Sequence, residues 1–390
     1  MKMKFKKYVG LGLALTLALT TLVGCGTKDT NPGTGSNGVF KIGSIGPITG
    51  GAAVYGQAVK NGVQLAVDEI NKAGGVNGVK FELNFQDDEH DAEKAVNAYN
   101  TLKDWGMQTL LGTVTSTPCI AVATEAEADN MFLLTPSGSA VECITAPNAF
   151  RVCFSDPDQG LKSAEYIGEH KIASKVAVIY DSSDVYSSGI YEKFAMEAKN
   201  QGIEIVAAEA FTADSRTDFS VQLQKAKDSG AELVFLPIYY AEAALILTQA
   251  NAMGYDPMFF GCDGLDGILA VDNFDLSLAE DVMLLTPFAA DAQDELTQNF
   301  VNAFKNAYNE IPNQFAADGY DGVYAIKAAM EKAGVTPDMS ASDICEALKV
   351  SMTEIEIDGV TGENMTWSVD GEPNKAPKAV KIVDGAYTAM

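Results

Sequence analysis

The chain has 390 residues, with 27 Lys and Arg against 53 Asp and Glu, a formal net charge of −26 at pH 7. Nucleic acids and anionic lipids are held by clustered Lys and Arg, so this acidity excludes them as ligands and gives a repulsive, soluble surface. Six cysteines and two histidines show no C-x-x-C pair and no zinc spacing, so no structural metal and no cofactor are expected.

Lys2, Lys4, Lys6 and Lys7 form a basic start, and residues 9–23 follow as an apolar stretch without charge. That stretch is shorter than the ~20 residues a helix needs to cross a bilayer, which suits a cleaved signal. It ends in Leu22-Val23-Gly24-Cys25, the pattern of a bacterial lipobox. Residues 1–24 are therefore expected to be a signal peptide, with Cys25 the lipid-bearing first residue of the mature chain. Residues 25–38 are rich in Gly, Thr, Ser, Asn and Pro and read as a flexible tether. Cleavage would leave 23 basic and 53 acidic residues, a net of −30. The expected location is the extracytoplasmic face of the cell membrane, since two acyl chains on one residue give stable attachment.

The remaining body exceeds what one core supports, so two domains are expected. Strand and helix signals alternate along it. Residues 40–46 are a short apolar run, and an amphipathic helix is expected over 56–73, closed by Gly74-Gly75-Val76-Asn77-Gly78. Strands at 79–87, 109–112 and 132–135 alternate with helices at 92–105 and 120–128. The pattern restarts with strands at 176–181, 204–209, 233–237 and 258–261 and helices at 187–201, 219–229 and 241–253. Repeated βα units with apolar strands imply parallel sheets covered by helices on both faces. The fold class expected is α/β, with two Rossmann-like lobes divided near residue 156. In such sheets ligands sit beyond the carboxyl ends of the strands.

The strand exits are distinctive. In the first lobe they carry Gly46-Pro47-Ile48-Thr49-Gly50, Gly112-Thr113-Val114-Thr115-Ser116-Thr117 and Thr135-Pro136-Ser137-Gly138-Ser139. In the second they carry Asp181-Ser182-Ser183-Asp184-Val185-Tyr186, Pro237-Ile238-Tyr239-Tyr240 and Gly261-Cys262-Asp263-Gly264. An amino-acid zwitterion requires donors for its carboxylate and an acceptor for its ammonium. Ser116 stands just before a helix, where free N–H groups favour an anion. Ser137 and Ser139 add backbone donors and a hydroxyl, and Asp263 is a natural ammonium partner. Taken singly, Ser116 reads equally as an N-cap and Asp263 as turn chemistry.

Lys41-Ile42-Gly43 through Gly46-Pro47-Ile48-Thr49-Gly50, the run from Ala66 to Gly78, and Asp87-Asp88 resemble the branched-chain amino-acid binding proteins of ABC importers. These have the type I periplasmic-binding-protein fold, and the resemblance runs from about Val39 to Met390. It implies two lobes joined by a three-crossover hinge, residues 39–155 plus 288–362 in the first and 156–287 plus 363–390 in the second. It also implies a carboxylate-binding serine at Ser116, loop contacts at Ser137 and Ser139, a lobe-closing tyrosine at Tyr186 and a second-lobe tyrosine at Tyr239. The ammonium-holding acid falls on Asp263, where the leucine-type proteins usually have Glu. Tyr55 falls where those proteins place a large aromatic, and Val114 where they place an aliphatic. The Tyr55 hydroxyl suggests a pocket more polar than a leucine pocket. The partners implied are an amino acid, most simply branched-chain, and a membrane ABC permease, with the protein itself a monomer.

Other readings are weaker. Ser116 has no G-x-S-x-G elbow, and the sequence places neither histidine beside it in a strand-exit loop, so no hydrolytic triad is expected. The glycines form neither a phosphate loop nor a dinucleotide fingerprint, and an enzyme is not expected. Asp87-Asp88-Glu89-His90-Asp91 lacks the spacing of a calcium loop and reads as a strand-end loop. A sensory module of the same fold, or a binder of a small carboxylate or amide, is the alternative. Cys119, Cys143, Cys153, Cys262 and Cys345 fit either a disulfide or packed thiols, and their pairing is not legible.

Overall fold

The computed structural model describes residues 38–390, so the expected signal peptide, Cys25 and all but the last residue of the tether lie outside the described residues. The first lobe opens with β1 (Phe40–Gly46), α1 (Ala53–Lys72), β2 (Phe81–Asp87), α2 (Ala92–Trp105), β3 (Thr109–Gly112), α3 (Ser116–Asp129), β4 (Leu133–Thr135) and β5 (Ala149–Arg151). Its five strands run parallel in the order β2-β1-β3-β4-β5.

The second lobe follows with α4 (Asp156–Glu169), β6 (Lys175–Asp181), α5 (Val185–Ala198), β7 (Glu204–Phe211), α6 (Ser220–Asp228), β8 (Leu233–Leu236), α7 (Tyr240–Ala252), β9 (Met258–Gly261) and β10 (Met283–Thr286). The chain then returns to the first lobe as α8 (Glu295–Tyr308), α9 (Gln314–Ala333), α10 (Ala341–Met352) and the hairpin of β11 (Ile357–Gly359) and β12 (Gly362–Met365). It finishes with β13 (Lys378–Val383) and β14 (Ala386–Ala389) in the second sheet. That sheet runs β14-β13-β10-β9-β8-β6-β7. β13 runs antiparallel to β10 and β14 antiparallel to β13, a departure from the all-parallel expectation; the second of these pairs is a short hairpin, which can only return that way.

β3, β4 and β8 are buried along their whole length, which explains why they read as continuous apolar runs rather than alternating ones. α1 buries Val59, Val63, Ala66, Val67 and Ile70 on one face, the 3.6-residue stripe of a core-facing helix. α9 lies against it, and Gly62 lets the two backbones touch: a Cβ there would meet the Ala316 carbonyl oxygen at 2.0 Å.

α3 begins at Ser116, earlier than the expected 120, because Pro118 sits in the first turn where no intrahelical N–H is needed. Three passes link the lobes, after β5, after β10 and before β13. The last comes later than residue 363: Trp367 Nε1 donates to the Arg151 carbonyl (2.7 Å) and Lys375 Nζ to Asp318 (2.9 Å), so the strap stays on the first lobe as far as Lys375. The five cysteines within the described residues are all buried free thiols.

Candidate functional site

The strand-exit loops of both lobes converge on one small, partly open cavity of about 10 Å³. Tyr55, Val114, Ser116, Ser137, Ser139, Tyr186, Tyr239 and Asp263 all line it. Each stands at a helix start or just beyond a strand, where a parallel sheet leaves its loops free.

The first-lobe side is rich in donors. Ser116 is the first residue of α3, and no side chain caps that end. Its leading N–H groups therefore lack intrahelical partners, and the helix dipole favours an anion there. Ser116 Oγ accepts from the N–H groups of Ser139 (3.3 Å) and Ala140 (3.2 Å), which draws the loop after β4 over the helix start. Ser137 Oγ donates to the Val114 carbonyl at 2.6 Å, so it braces the loop and has its proton already engaged. The buried Ser139 hydroxyl has no well-formed bond within the protein.

The second-lobe side carries the charge. Asp263 begins a 3-10 turn after β9 and is buried. Burial pushes its carboxyl up to about 6, against the pull of hydrogen bonds led by Tyr186. The Tyr186 hydroxyl donates to Asp263 Oδ1 at 2.7 Å and accepts from the Gly264 N–H at 2.9 Å. Glycine is required there, since a Cβ at Gly264 would meet that hydroxyl at 2.6 Å. Tyr186 and Tyr239 stack with centroids 4.8 Å apart, forming a wall.

Tyr55 differs from expectation. Its hydroxyl donates to the Gly264 carbonyl and accepts from the Tyr240 N–H, so both its roles are taken by second-lobe backbone. What it offers the cavity is its ring, beside Val114 and Phe315 (centroids 4.2 Å). That end of the cavity is apolar.

Thr115, Gly264 and Phe315 also line the cavity. Thr115 and Gly264 lie within the strand exits, but Phe315 belongs to α9, and nothing local marks it. Asp156, at the start of α4, is buried with neither carboxylate oxygen in a well-formed bond. Burial pushes its carboxyl well up, with the Ser139 hydroxyl beside it pulling down and the Asp263 charge adding to the rise. His90 bonds Thr115 Oγ1 through Nδ1 (2.8 Å) and meets the Tyr239 ring edge-on across the cleft. Asp87 accepts from Ile48 and Thr49, and Asp91 caps α2, so these carboxylates hold loops.

The sequence matches the family model described as "Periplasmic binding protein" over residues 39–386. The chain belongs to the periplasmic binding protein family. Among curated members it is 32% identical to the Leu/Ile/Val-binding protein homolog 3 of Brucella melitensis, over 77% of this chain and 81% of that one. It is 30% identical to the leucine-, isoleucine-, valine-, threonine-, and alanine-binding protein of Pseudomonas aeruginosa, over 81% and 83%. Among solved periplasmic binding proteins it is similar to the branched-chain amino acid transporter substrate-binding protein LivJ of Streptococcus pneumoniae, in complex with isoleucine. The TM-score is 0.82 at 29% identity, covering 90% of this chain and 98% of the other. A benzoate-bound solute-binding protein from R. palustris shares the fold at a TM-score of 0.79 and 20% identity, with 90% and 96% covered.

Proposed function

We propose that this protein captures an α-amino acid with an aliphatic side chain between its lobes and delivers it to an ABC permease. One observation carries the reading: donors at the start of α3 and a buried carboxylate, Asp263, line the same small cavity from opposite lobes. A zwitterion satisfies both, and its ammonium offsets the charge that Asp263 and Asp156 impose on each other. The ring of Tyr55, Val114 and Phe315 suits leucine, isoleucine or valine, the ligands named for the Brucella relative. Ser116, Ser137 and Ser139 serve the carboxylate end, Asp263 the ammonium, and Tyr186 and Tyr239 close over the ligand. Closure is favoured to the extent that the ligand gains contacts with the second lobe.

Thermal-shift measurement on residues 26–390 tests this. L-Leucine, L-isoleucine and L-valine are expected to raise the midpoint by linkage, whereas benzoate, which has no ammonium, is not. A rise with benzoate alone rejects the amino-acid reading in favour of a small-carboxylate binder.

Lipid anchoring through Cys25 and a monomeric state complete the proposal. The support for the anchor is the lipobox pattern Leu22-Val23-Gly24-Cys25. Cys25→Ala is expected to move the protein from the membrane to the soluble fraction, and a variant that stays with membranes rejects the anchor.

A further inference from the structure

Arg151, the last residue of β5, heads the largest side chains that are fully buried. Its Nη1 donates to the Ser139 carbonyl, and its Nη2 donates to the Ala140 carbonyl at 3.1 Å. Glu372 Oε2 approaches Nε at 3.2 Å, an ion pair too bent to make a hydrogen bond. The Ser139 carbonyl also accepts from the N–H of Asp156 at 2.9 Å. One guanidinium thus joins the loop after β4 to the strap that precedes the third crossover, at a carbonyl that the first residue of α4 also holds.

The geometry matters because a peptide group is planar, with its carbonyl and N–H pointing in opposite directions. Fixing the Ser139 carbonyl on Arg151 turns the Ala140 N–H the other way, where it meets Ser116 Oγ at 3.2 Å. A carbonyl held by a cation also polarises its own peptide, which makes the N–H a stronger donor. A buried guanidinium carries a large desolvation penalty, and an apolar side chain of similar volume would fill the same space without it.

We propose that Arg151 is a positioning residue for the carboxylate subsite. It aims the Ala140 N–H at Ser116 Oγ, which lines the anion end of the cavity, and ties that subsite through Glu372 to the strap that precedes the third crossover. The proposal rests on the amino-acid reading above.

The test uses the mature chain with R151K and E372Q, the latter at a half-exposed position where folding is retained if R151K folds poorly. Calorimetry compares L-leucine with L-leucinamide, which keeps the ammonium and lacks the carboxylate. R151K is expected to weaken L-leucine about tenfold and E372Q about threefold, with leucinamide unchanged in both. An equal loss for the two ligands is what packing alone predicts and overturns the proposal. Hydrogen exchange in the peptide spanning residues 137–141 gives a readout without ligand. It is expected to quicken about tenfold at the Ala140 amide in R151K while the rest of the first lobe keeps its protection, and unchanged exchange overturns the proposal. A wild-type protein that binds neither ligand overturns the functional reading, while the exchange readout still decides whether Arg151 holds that amide.

Discussion

The Tyr55 hydroxyl donates to the Gly264 carbonyl, tying the first turn of α1 to the loop that carries Asp263. The same oxygen accepts from the Tyr240 N–H at 3.1 Å, and the Tyr240 hydroxyl in turn accepts from the Val54 N–H at 3.3 Å. Two tyrosines from opposite lobes thus clasp each other's backbones. Removing the Tyr55 hydroxyl leaves two backbone groups unserved in the closed form only, because water reaches them when the lobes part. Y55F is expected to raise the Kd for L-leucine about tenfold, on the order of 1.4 kcal/mol. Calorimetry reads that, and small-angle scattering should show a larger ligand-free particle. An unchanged Kd would mean the clasp contributes nothing to closure.

D263N keeps the shape of the side chain and removes its charge. L-Leucine is expected to bind about 100-fold more weakly, within the range for breaking a buried charged pair. 4-Methylpentanoate, the same skeleton without its amine, should bind no worse than to the wild type. If the two ligands lose affinity together, Asp263 does not meet the ammonium.

Binding should also depend on pH. Asp263 has a folded-state value of about 6, and only its ionised form holds an ammonium well. Below that value each pH unit removes roughly a factor of ten from the competent fraction. The Kd for L-leucine at pH 5 is therefore expected to be about tenfold weaker than at pH 7. A flat profile in titration calorimetry between those pH values contradicts the assignment.

Stability of the ligand-free protein should run the opposite way. Burial raises Asp263 to about 6 and Asp88, Asp266 and Asp318 to about 7. Between about pH 4, the ordinary carboxyl value, and pH 7, the folded chain keeps protons that the unfolded chain has lost, so stability falls as pH rises. Asp87 and Asp294, whose values are lowered by hydrogen bonds, titrate below that window. The Tm without ligand is expected to be at least ~3 °C higher at pH 5 than at pH 8. D88N should flatten part of this slope, since Asp88 Oδ2 is buried without a partner. A Tm that climbs from pH 5 to pH 8 overturns the prediction.

Legibility followed the range over which each feature is determined. β4 and β8 announce themselves, because a strand buried on both faces must be apolar almost throughout. The strand exits stood out for the same reason, being polar runs between apolar ones. Ser116 was readable as a helix start, although Pro118 disguised how early that helix begins. Tyr55 was visible as an aromatic, but its hydroxyl is committed to backbone 209 residues away, and no local pattern carries that. Asp156 and Arg151 look like ordinary charged residues until burial gives them consequence. Nor does any local pattern mark how far the strap before β13 runs, since its grip on Asp318 and Arg151 is wholly tertiary.

The packing of α1 on α9 also bears on how the molecule comes into being. Tyr320 reaches Glu69 across 251 residues of chain, and the part of α1 that faces α9 has no cover until α9 has been made. Contacts of such sequence separation slow folding, because a long loop must close before any of them forms. The first lobe therefore completes its packing only late in synthesis, and until then this face of α1 stays accessible to chaperones.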